Sequence, residues 1–460
     1  MNIDFDHALP ALTRLLEAHL KQEQAREVRP PRSPEDLSQN IDLDITVEGQ
    51  GFDAMMAALG EVLDATPATA SPRFFNQLFA GRDGAALMGE IAASVLNNSM
   101  YTYKVAGVHV LIEMLLVRRM GQLMGLDDPE GVFTPGGSLS NLSAMVVARN
   151  EAISQNGDEG VDGRTLRIYT SVDGHYSVPK AAALLGIGRN NVVKIPVDDR
   201  GRMLPAALEQ AIKADKSAGF TPAMINATAG TTVLGAFDPI PAIADVAERQ
   251  GVWLHIDGAY GGSMVFHPDF TEQMAGTDRA DSITWDAHKM LGVPLTCSVV
   301  LVRQRGLLTK HFTEDADYLF QEDEDRLNPG TRSIQCGRRN DALKLWTAWK
   351  AHGDDGFGDR SVTLRDLTLH ANARVEAHPD LTAVRAPESM NLCFTVRGVD
   401  PDHLCRVLNQ EAKSMVGFAF VTGVKVVRVV FLNPTVTTED VDTFFDAVIE
   451  VADRLRDTPA

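Results

Sequence analysis

Two hydrophobic periods alternate along the middle of the chain. Between about residue 85 and residue 310, short apolar runs typical of buried strands are separated by segments with apolar residues at helical spacing. Helical patterns such as Leu204–Ala214 and Ile240–Gln250 fall between several of these runs. The alternation predicts an α/β layer with a mostly parallel sheet, in which ligands bind at the carboxyl ends of strands. The strand-like runs are Leu166–Thr170, Val192–Val197, Ala223–Ala227, Val252–Asp257, Ser282–Trp285 and Cys297–Val302.

The two ends of the chain follow other patterns. Residues 4–24 have apolar positions at helical spacing, and the proline-rich run Arg29–Pro34 is expected to end that helix and to be extended. A lone helix followed by such an arm buries little apolar surface within its own segment. Packing against a second subunit is one way to bury that surface. We therefore expect an N-terminal helical and extended dimerisation segment over 1–65, a large domain over 66–340 and a small α+β domain over 341–460. In the last of these, the pattern predicts helices Asp341–Ala351, Ser361–Ala377 and Thr438–Arg456 and strands Met390–Val396 and Val424–Val430.

Composition narrows the class of protein. The 460 residues are 44% hydrophobic and 23% charged, which is ordinary for a soluble globular protein. The net charge of −19 argues against nucleic acid or anionic membrane partners, and no apolar run approaches the roughly 20 residues of a membrane span. The N-terminal residues lack the basic start and apolar core of a secretory signal, so we expect none there. The four cysteines lack metal-ligand spacing, so we expect no metal site and four buried free thiols in a reducing cytoplasm.

Two strand ends carry the most informative residues. Lys289 follows His288 just past the apolar run Ser282–Trp285, and Asp257 ends another such run 32 residues upstream. A lysine that forms an imine and a carboxylate that keeps a pyridinium nitrogen protonated are the groups that pyridoxal phosphate (PLP) needs most. Each residue alone also suits an ordinary role, a capping aspartate or a surface lysine. Together, they predict a PLP enzyme.

Three upstream motifs fit the same cofactor. Gly137 and Ser138, in Pro135–Asn141, open a predicted helix whose first N–H groups suit a phosphate, although a plain N-cap turn is the alternative. His175 could stack on a flat ring or be a structural histidine. Thr228 begins a hydroxyl-rich turn that could reach the cofactor or could simply cap the strand.

The order of these motifs resembles the group II PLP-dependent amino acid decarboxylases. The shared pattern is Pro-Gly-Gly-Ser-x-Ser-Asn, His-Tyr-Ser, Ala-Thr-x-Gly-Thr-Thr, His-x-Asp-x-Ala and His-Lys, and it covers about residue 65 to the C-terminus. Within that group the chain is similar to the glutamate and cysteine sulfinate decarboxylase branch. The segments that carry this likeness are Pro72–Leu78, Thr231–Pro239, Tyr318–Gln321 and Gln335–Arg339. The resemblance implies the aspartate-aminotransferase-like fold (fold-type I) and an obligate dimer with active sites at the subunit interface.

The resemblance also implies roles for single residues. Lys289 would hold the cofactor as an imine, Asp257 would pair with the pyridine nitrogen, and His175 and Ala259 would face the two sides of the ring. The phosphate would lie near Gly137, Ser138 and His288, with Thr228 near the ring substituents.

Five further residues match the substrate site of the branch. Arg428 corresponds to the arginine that grips the substrate's acid group, and a guanidinium is a natural bidentate partner for a carboxylate or sulfinate. A strand-edge arginine in a surface ion pair is the alternative. Gln77 matches an amide contact to the same group. Phe79, Ser99 and Tyr101 resemble the cysteine sulfinate type, and a larger Phe and Tyr would shorten the pocket. We therefore predict α-decarboxylation of aspartate or cysteine sulfinate, giving β-alanine or hypotaurine, with glutamate as the alternative substrate.

Two departures from the family bear on the reaction. The loop after Tyr318–Gln321 usually carries a tyrosine that gives a proton to the substrate carbon, and residues 322–334 contain none. Decarboxylation coupled to oxidative deamination is therefore an alternative outcome. Lys104 and Gly107 replace Glu and Pro of relatives, and Lys104 is either near the pocket or a solvated surface residue. A non-catalytic homologue is a third possibility, which the intact Lys289 and Asp257 weigh against.

Overall fold

The computed structural model describes residues 4–24, 28, 32–153, 160–161, 163–314 and 327–457. Within these ranges helices alternate with strands through the middle of the chain. The helices are α1 Phe5–Gln24, α2 Pro34–Asn40, α3 Phe52–Ala65, α4 Gly84–Leu96, α5 Tyr103–Ala106, α6 Val108–Leu123, α7 Gly137–Ile153, α8 Ser177–Leu184, α9 Pro205–Ser217, α10 Ile240–Gln250, α11 Leu307–Phe312, α12 Asp341–Ala377, α13 Pro401–Gln410 and α14 Thr438–Asp457. The strands are β1 Glu130–Thr134, β2 Leu166–Ser171, β3 Val192–Ile195, β4 Thr221–Thr228, β5 Trp253–Asp257, β6 Ser282–Asp286, β7 Ser298–Val302, β8 Leu381–Ala383, β9 Asn391–Val396, β10 Gly417–Val421 and β11 Val424–Val430.

A seven-stranded sheet carries the central region, in the order β1-β7-β6-β5-β4-β2-β3. The pairs from β6 through β5, β4 and β2 to β3 are parallel, whereas β7 runs antiparallel to both of its neighbours, β1 and β6. Every residue of β1, β6 and β7 is buried, as expected for strands covered on both faces. The mostly parallel sheet that the sequence pattern predicts is thus confirmed, and its carboxyl ends lie along one edge.

Helix α7 positions part of that edge. It begins at Gly137, directly after β1, and its apolar side chains Ala144, Val147 and Ala148 are completely buried in the core of the sheet. Its neighbours in the structure include β4, β6 and β7. Because β1 and β6 are both antiparallel to β7, β1 ends at the same edge of the sheet as β6, and the N-terminus of α7, which follows β1, lies at that edge.

A second sheet of four strands has the order β10-β11-β9-β8. Strand β10 is antiparallel to β11, and β8 is antiparallel to β9. Helices α13 and α14 bury apolar faces that include Leu404, Leu408, Phe444 and Phe445.

The chain divides into two compact units. The large unit comprises Arg82–Thr368 and Arg385–Leu392 and contains the seven-stranded sheet. The small unit comprises the described residues of Met1–Gly81, Leu369–Val384 and Cys393–Ala460. The domain boundaries drawn from the sequence, after residues 65 and 340, stay a prediction.

Several details differ from the sequence pattern. The two helices predicted over 341–377 are joined in α12, which is interrupted at Gly353, where φ is 65°. The expectation that all four cysteines are buried is wrong for Cys336, which is exposed, whereas Cys297, Cys393 and Cys405 are buried and all four are free thiols. Strands β8 and β10 and helix α13 were not predicted. Residues 29–31 of the proline-rich run and the segment Tyr318–Gln321 lie outside the described residues, and Pro34, the last residue of that run, begins α2.

None of the helices that the structure describes combines the length and the hydropathy of a membrane-spanning segment. Within the same ranges, no group of three or more His, Cys, Asp and Glu side chains is arranged to hold a metal ion.

Candidate active site

A cavity of about 280 Å³ opens at the carboxyl ends of the parallel strands. All of its lining residues belong to the large unit. The eight residues that the sequence assigns to cofactor binding all line this one cavity: Gly137, Ser138, His175, Thr228, Asp257, Ala259, His288 and Lys289. Residues separated by as much as 152 positions in the chain, from Gly137 to Lys289, are therefore brought together as the motif order implies.

Asp257 is fixed by hydrogen bonds from two sides. It is the last residue of β5 and is 5% exposed. Its Oδ2 accepts a hydrogen bond of 2.8 Å from Nδ2 of Asn141, and its Oδ1 accepts one of 3.2 Å from the backbone N–H of Ala259. These two contacts fix the orientation of the carboxyl group, which would pair with a protonated pyridine nitrogen.

Behind Asp257 lies a buried chain of hydrogen bonds. Because a carboxylate only accepts, the Asn141 amide must turn its NH₂ towards Asp257 and its oxygen towards His255 Nε2, 3.0 Å away. Burial lowers the pKa of His255 to about 4, so this ring is neutral near pH 7 and carries its one proton on Nε2. Its Nδ1 then accepts from the hydroxyl of Ser282, 2.8 Å away, which in turn accepts from the indole N–H of Trp253. In this series of hydrogen bonds, each donor therefore faces an acceptor.

Asn141 also reaches the second predicted catalytic side chain, His175. Its Nδ2 donates to Ser177 Oγ at 3.0 Å, and that hydroxyl lies 2.8 Å from His175 Nδ1. The Ser177 backbone N–H also donates to Nδ1, at 3.2 Å. Nδ1 is thus an acceptor, and since burial lowers the pKa of His175, the neutral ring carries its proton on Nε2.

Lys289 lies beside the carboxylate of Asp286, a residue to which the sequence analysis assigned no role. Its Nζ is 3.3 Å from Oδ2 of Asp286, the last residue of β6. Asp286 is 2% exposed and its Oδ1 accepts from the Ser298 hydroxyl. His288 Nε2 is 3.7 Å from the same Oδ2, and burial lowers the pKa of His288.

The remaining lining residues suit PLP. Thr228, the last residue of β4, is 4% exposed, and its Oγ1 is buried without a hydrogen-bond partner, as expected for a hydroxyl whose partner is a ligand. Its backbone N–H donates to Asp238 Oδ2 at 2.8 Å, which fixes the strand end. Gly137 and Ser138 open α7, so their N–H groups are available for a phosphate. The donor set fits the cofactor, with the exception of Asp286 near the phosphate end.

The five predicted substrate-binding residues are not among the described residues that line the cavity. In the small unit, Arg428 is partly buried on β11 and donates from Nη1 to the carbonyl of Asn76 at 3.0 Å. This contact places Arg428 beside the segment that carries Gln77, which is exposed, and Phe79, whose ring packs against Phe74.

In the large unit, Ser99 and Tyr101 are partly buried. The Tyr101 ring packs so closely on Gly330 that a Cβ there would lie 2.4 Å from it. Lys104 is exposed in the described chain, which favours the solvated-surface alternative for this residue.

Asn141, His255 and Asp286 are three buried polar residues of the site to which sequence reasoning assigned no role. A signal was available for His255, which interrupts the apolar run of β5, and for Asp286, which ends the wholly buried strand β6, since a buried polar residue needs a partner. Asn141 shows no such signal, since an asparagine near the start of a helix is common.

Comparison with known proteins places the chain in a family. The family model described as the pyridoxal-dependent decarboxylase conserved domain matches residues 34–397. The cysteine sulfinic acid decarboxylase of Mus musculus is 38% identical over 434 residues, covering 89% of this chain and 88% of the relative. The acidic amino acid decarboxylase GADL1 of Bos taurus is 35% identical over 440 residues, covering 91% and 84%.

Solved structures show the same fold. The crystal structure of mouse CSAD has a TM-score of 0.92 at 34% identity and covers 98% of this chain and 99% of that chain. The structure of Oryza sativa TDC with PLP and tryptamine has a TM-score of 0.92 at 25% identity and covers 99% of each chain. The fold-type I architecture and the resemblance to the glutamate and cysteine sulfinate decarboxylase branch are therefore confirmed. The chain belongs to the pyridoxal-dependent decarboxylase family and is an amino acid decarboxylase with pyridoxal 5'-phosphate as its cofactor.

Proposed function

We propose that this protein removes the α-carboxylate of a short acidic L-amino acid, cysteine sulfinate or aspartate. The observation that carries the proposal is the convergence of Lys289, Asp257 and neutral His175 on one cavity. The names of the relatives, which give cysteine sulfinic acid and acidic amino acids as substrates, support the substrate class.

Each cavity residue then has a distinct task. When bound, PLP supplies an electron sink for the electron pair of the bond that is broken. Lys289 would attach the cofactor through Nζ, and Asp257, locked by Asn141, would keep a positive charge on the pyridine nitrogen. The Thr228 hydroxyl, which is buried without a hydrogen-bond partner, would form a hydrogen bond with a ring substituent. His175 would lie against the ring and hold its proton on Nε2, on the opposite side of the imidazole from Ser177.

Substrate selection would depend on the five residues outside that cavity. Arg428 would bind the distal acid group as a bidentate partner, with Gln77 as a second donor. Phe79, Ser99 and Tyr101 would shorten the pocket, and the packing of Tyr101 on Gly330 leaves that ring little room to move away. A methylene is worth about 1–3 kcal/mol in such discrimination, so the choice is a preference for the shorter acids.

Turnover of three acids by the PLP-loaded protein tests this assignment. We expect kcat/KM for cysteine sulfinate or aspartate to exceed that for glutamate by roughly 10-fold or more. Phe79→Ser should raise the relative rate with glutamate, while Phe418→Ser, at an exposed phenylalanine of β10, serves as the matched control. Glutamate as the best substrate of the unmodified protein would contradict the proposal. Mass spectrometry of the products separates simple decarboxylation, which gives the amine, from oxidative deamination, which gives an aldehyde.

We also propose a homodimer located in the cytoplasm. Two helices of the large unit each expose large apolar side chains at helical spacing, more than a monomer usually leaves in contact with water. These residues are Met88, Ile91 and Val95 on α4 and Val108, Leu111 and Leu115 on α6. Four free thiols suit a reducing compartment. Sedimentation analysis of the unmodified protein and of Leu111→Glu tests the dimer, since the variant should be monomeric; a monomeric unmodified protein would contradict it.

A further inference from the structure

A buried carboxylate occupies the end of the cavity where a phosphate group would bind. Asp286 lies against the first residue of α7: a Cβ built on Gly137 would be 2.7 Å from its Oδ2 and 3.0 Å from its Oδ1. The N-terminus of a helix attracts anions because its first N–H groups have no partner inside the helix. Asp286 therefore already places a negative charge where the phosphate of PLP needs positive charge.

The charge of Asp286 is balanced in this structure by Lys289. The Nζ atom lies 3.3 Å from Oδ2, and the Ser298 hydroxyl donates to Oδ1. Attachment of the cofactor would use the same Nζ atom and would add no positive charge there, while the phosphate group would bring a charge of about −1.5 to −2 near pH 7 to the same end of the cavity.

The other titratable groups around Asp286 supply no further positive charge. His288, with Nε2 3.7 Å from Oδ2, and His175, across the cavity, both have a pKa lowered by burial and are neutral near pH 7. Burial raises the pKa of the Cys297 thiol, which therefore stays neutral. Lys344, whose field also reaches His288, is engaged by Glu90 and Asp341 at 2.9 Å each.

We propose that phosphate binding at this site is coupled to the uptake of one proton by the Asp286–His288 pair, so that PLP affinity falls as the pH rises. The proton comes from solvent and is shared by Asp286 and His288, whose Oδ2 and Nε2 atoms lie 3.7 Å apart. Asp286 is thus a residue that sets the pH range over which the apoenzyme is loaded with cofactor. The inference rests on the cavity as the PLP site and not on the identity of the amino acid substrate.

The test compares PLP with pyridoxal, which has the aldehyde but no phosphate. Dissociation constants of both for the apoenzyme are measured between pH 6 and pH 9 by absorbance of the bound cofactor. Asp286→Asn keeps the shape of the side chain and removes its charge, and Asp127→Asn, at an exposed surface position, is the control with the same change in net charge. The phosphate's own second ionisation, near pH 6, is common to all three proteins and cancels in the comparison.

For the unmodified protein and for Asp127→Asn, we expect the ratio of the PLP to the pyridoxal dissociation constant to rise by up to 10-fold per pH unit above pH 7. Asp286→Asn should bind PLP at least 10-fold more tightly at pH 8, with little change for pyridoxal. Calorimetry of the unmodified protein in two buffers of different ionisation enthalpy gives an independent measurement, in which PLP should take up about one proton more than pyridoxal.

Equal proton uptake with PLP and pyridoxal in the unmodified protein overturns the proposal, and so does a folded Asp286→Asn with unchanged PLP affinity. If Asp286→Asn does not fold, the calorimetric measurement alone decides. These results are distinct from a failure of the proposed function, in which PLP binds normally and none of the three acids is decarboxylated.

Discussion

A buried ion pair beneath the segment that carries Ser99 and Tyr101 gives a quantitative prediction. Arg338 and Glu113 are both about 3% exposed, and Nη2 of Arg338 lies 2.7 Å from each carboxylate oxygen of Glu113. Burial raises the pKa of Glu113, and the Arg338 guanidinium opposes that effect. Arg338 also donates from Nη1 to the carbonyl of Met100 at 3.1 Å, and its backbone N–H donates to Ser99 Oγ at 3.3 Å.

Two variants separate the contribution of this pair to stability from its contribution to substrate binding. Arg338→Met leaves the Glu113 carboxylate buried without its partner, which should cost about 3–5 kcal/mol of stability. In the double variant Arg338→Met/Glu113→Leu neither charge remains, and replacement of a buried ion pair by apolar side chains is often neutral. We therefore expect the melting temperature to fall in the single variant and to recover largely in the double variant.

Substrate binding should not recover with stability. Both variants lose the guanidinium contact to the Met100 carbonyl, a hydrogen bond to a charged group worth about 1.5–3 kcal/mol. If that contact holds Ser99 and Tyr101 in place, KM for the acidic substrate should stay raised by roughly 10- to 100-fold in the double variant, with a smaller change in kcat.

Thermal unfolding and steady-state kinetics on the PLP-loaded variants provide the two measurements. Arg339→Met is the matched control, since Arg339 is the next residue and forms a half-exposed ion pair with Glu90 that should contribute no more than about 1 kcal/mol. A double variant with normal stability and normal KM would show that Arg338 supports the fold alone. A single variant with unchanged melting temperature would refute the buried ion pair itself.

Three further predictions concern the cavity and its support. Lys289→Ala should lose the visible absorbance band of the bound cofactor and resist borohydride trapping of PLP; a retained band would contradict the attachment site. Asn141→Ala leaves Asp257 Oδ2 without its amide donor, a loss of roughly 1.5–3 kcal/mol, so the PLP dissociation constant should rise at least 10-fold, whereas an unchanged value would exclude the positioning role. Burial raises the pKa of Asp238 to about 7, so between about pH 4 and pH 7 the folded protein binds more protons than the unfolded chain. The free energy of unfolding should therefore fall as the pH rises from about 4 to 7 and level off above pH 7. Thermal unfolding measured against pH should show a flatter slope for Asp238→Asn.

The cofactor cavity could be predicted from sequence because its residues sit at ends of strands. Thr228 and Asp257 are the last residues of β4 and β5, and Lys289 follows the end of β6 by three positions. Parallel strands bring their carboxyl ends to one edge, so the strand pattern alone predicts that these residues meet. The apolar runs also specified the bounds of most strands to within a few residues.

The direction of β7 could also have been inferred. The connection from Asp286 to Ser298 is 11 residues long and contains no helix, and a parallel crossover normally needs a dozen residues or more, usually with a helix. The length of this connection, rather than the hydrophobic pattern of the strands, indicates that β7 is antiparallel to β6. By contrast, the hydrogen-bond chain through Asn141 and His255 could not be predicted, since it joins α7 to β5 and only the packing of these elements brings the two side chains to 3.0 Å.

Substrate specificity is less accessible to sequence reasoning for a physical reason. The five predicted substrate-binding residues come from both compact units, Gln77, Phe79 and Arg428 from the small unit and Ser99 and Tyr101 from the large one. Discrimination between acids that differ by one methylene involves only about 1–3 kcal/mol. Residue types alone therefore indicate the sign of the preference, and kinetic comparison of the three acids must supply its size.

The two aspartates at the end of neighbouring parallel strands show how placement decides the role of a charge. Asp257 ends β5 and Asp286 ends β6, and both are at least 95% buried. Asp257 is held by the Asn141 amide and the Ala259 backbone N–H, so its negative charge remains available to a pyridinium. Asp286 is paired with Lys289, the residue that would attach the cofactor, so a phosphate bound there would add negative charge beside a carboxylate. The same chemical group would therefore stabilise bound PLP at the ring nitrogen and oppose it at the phosphate, and we expect the pH dependence of cofactor binding to come from the second site.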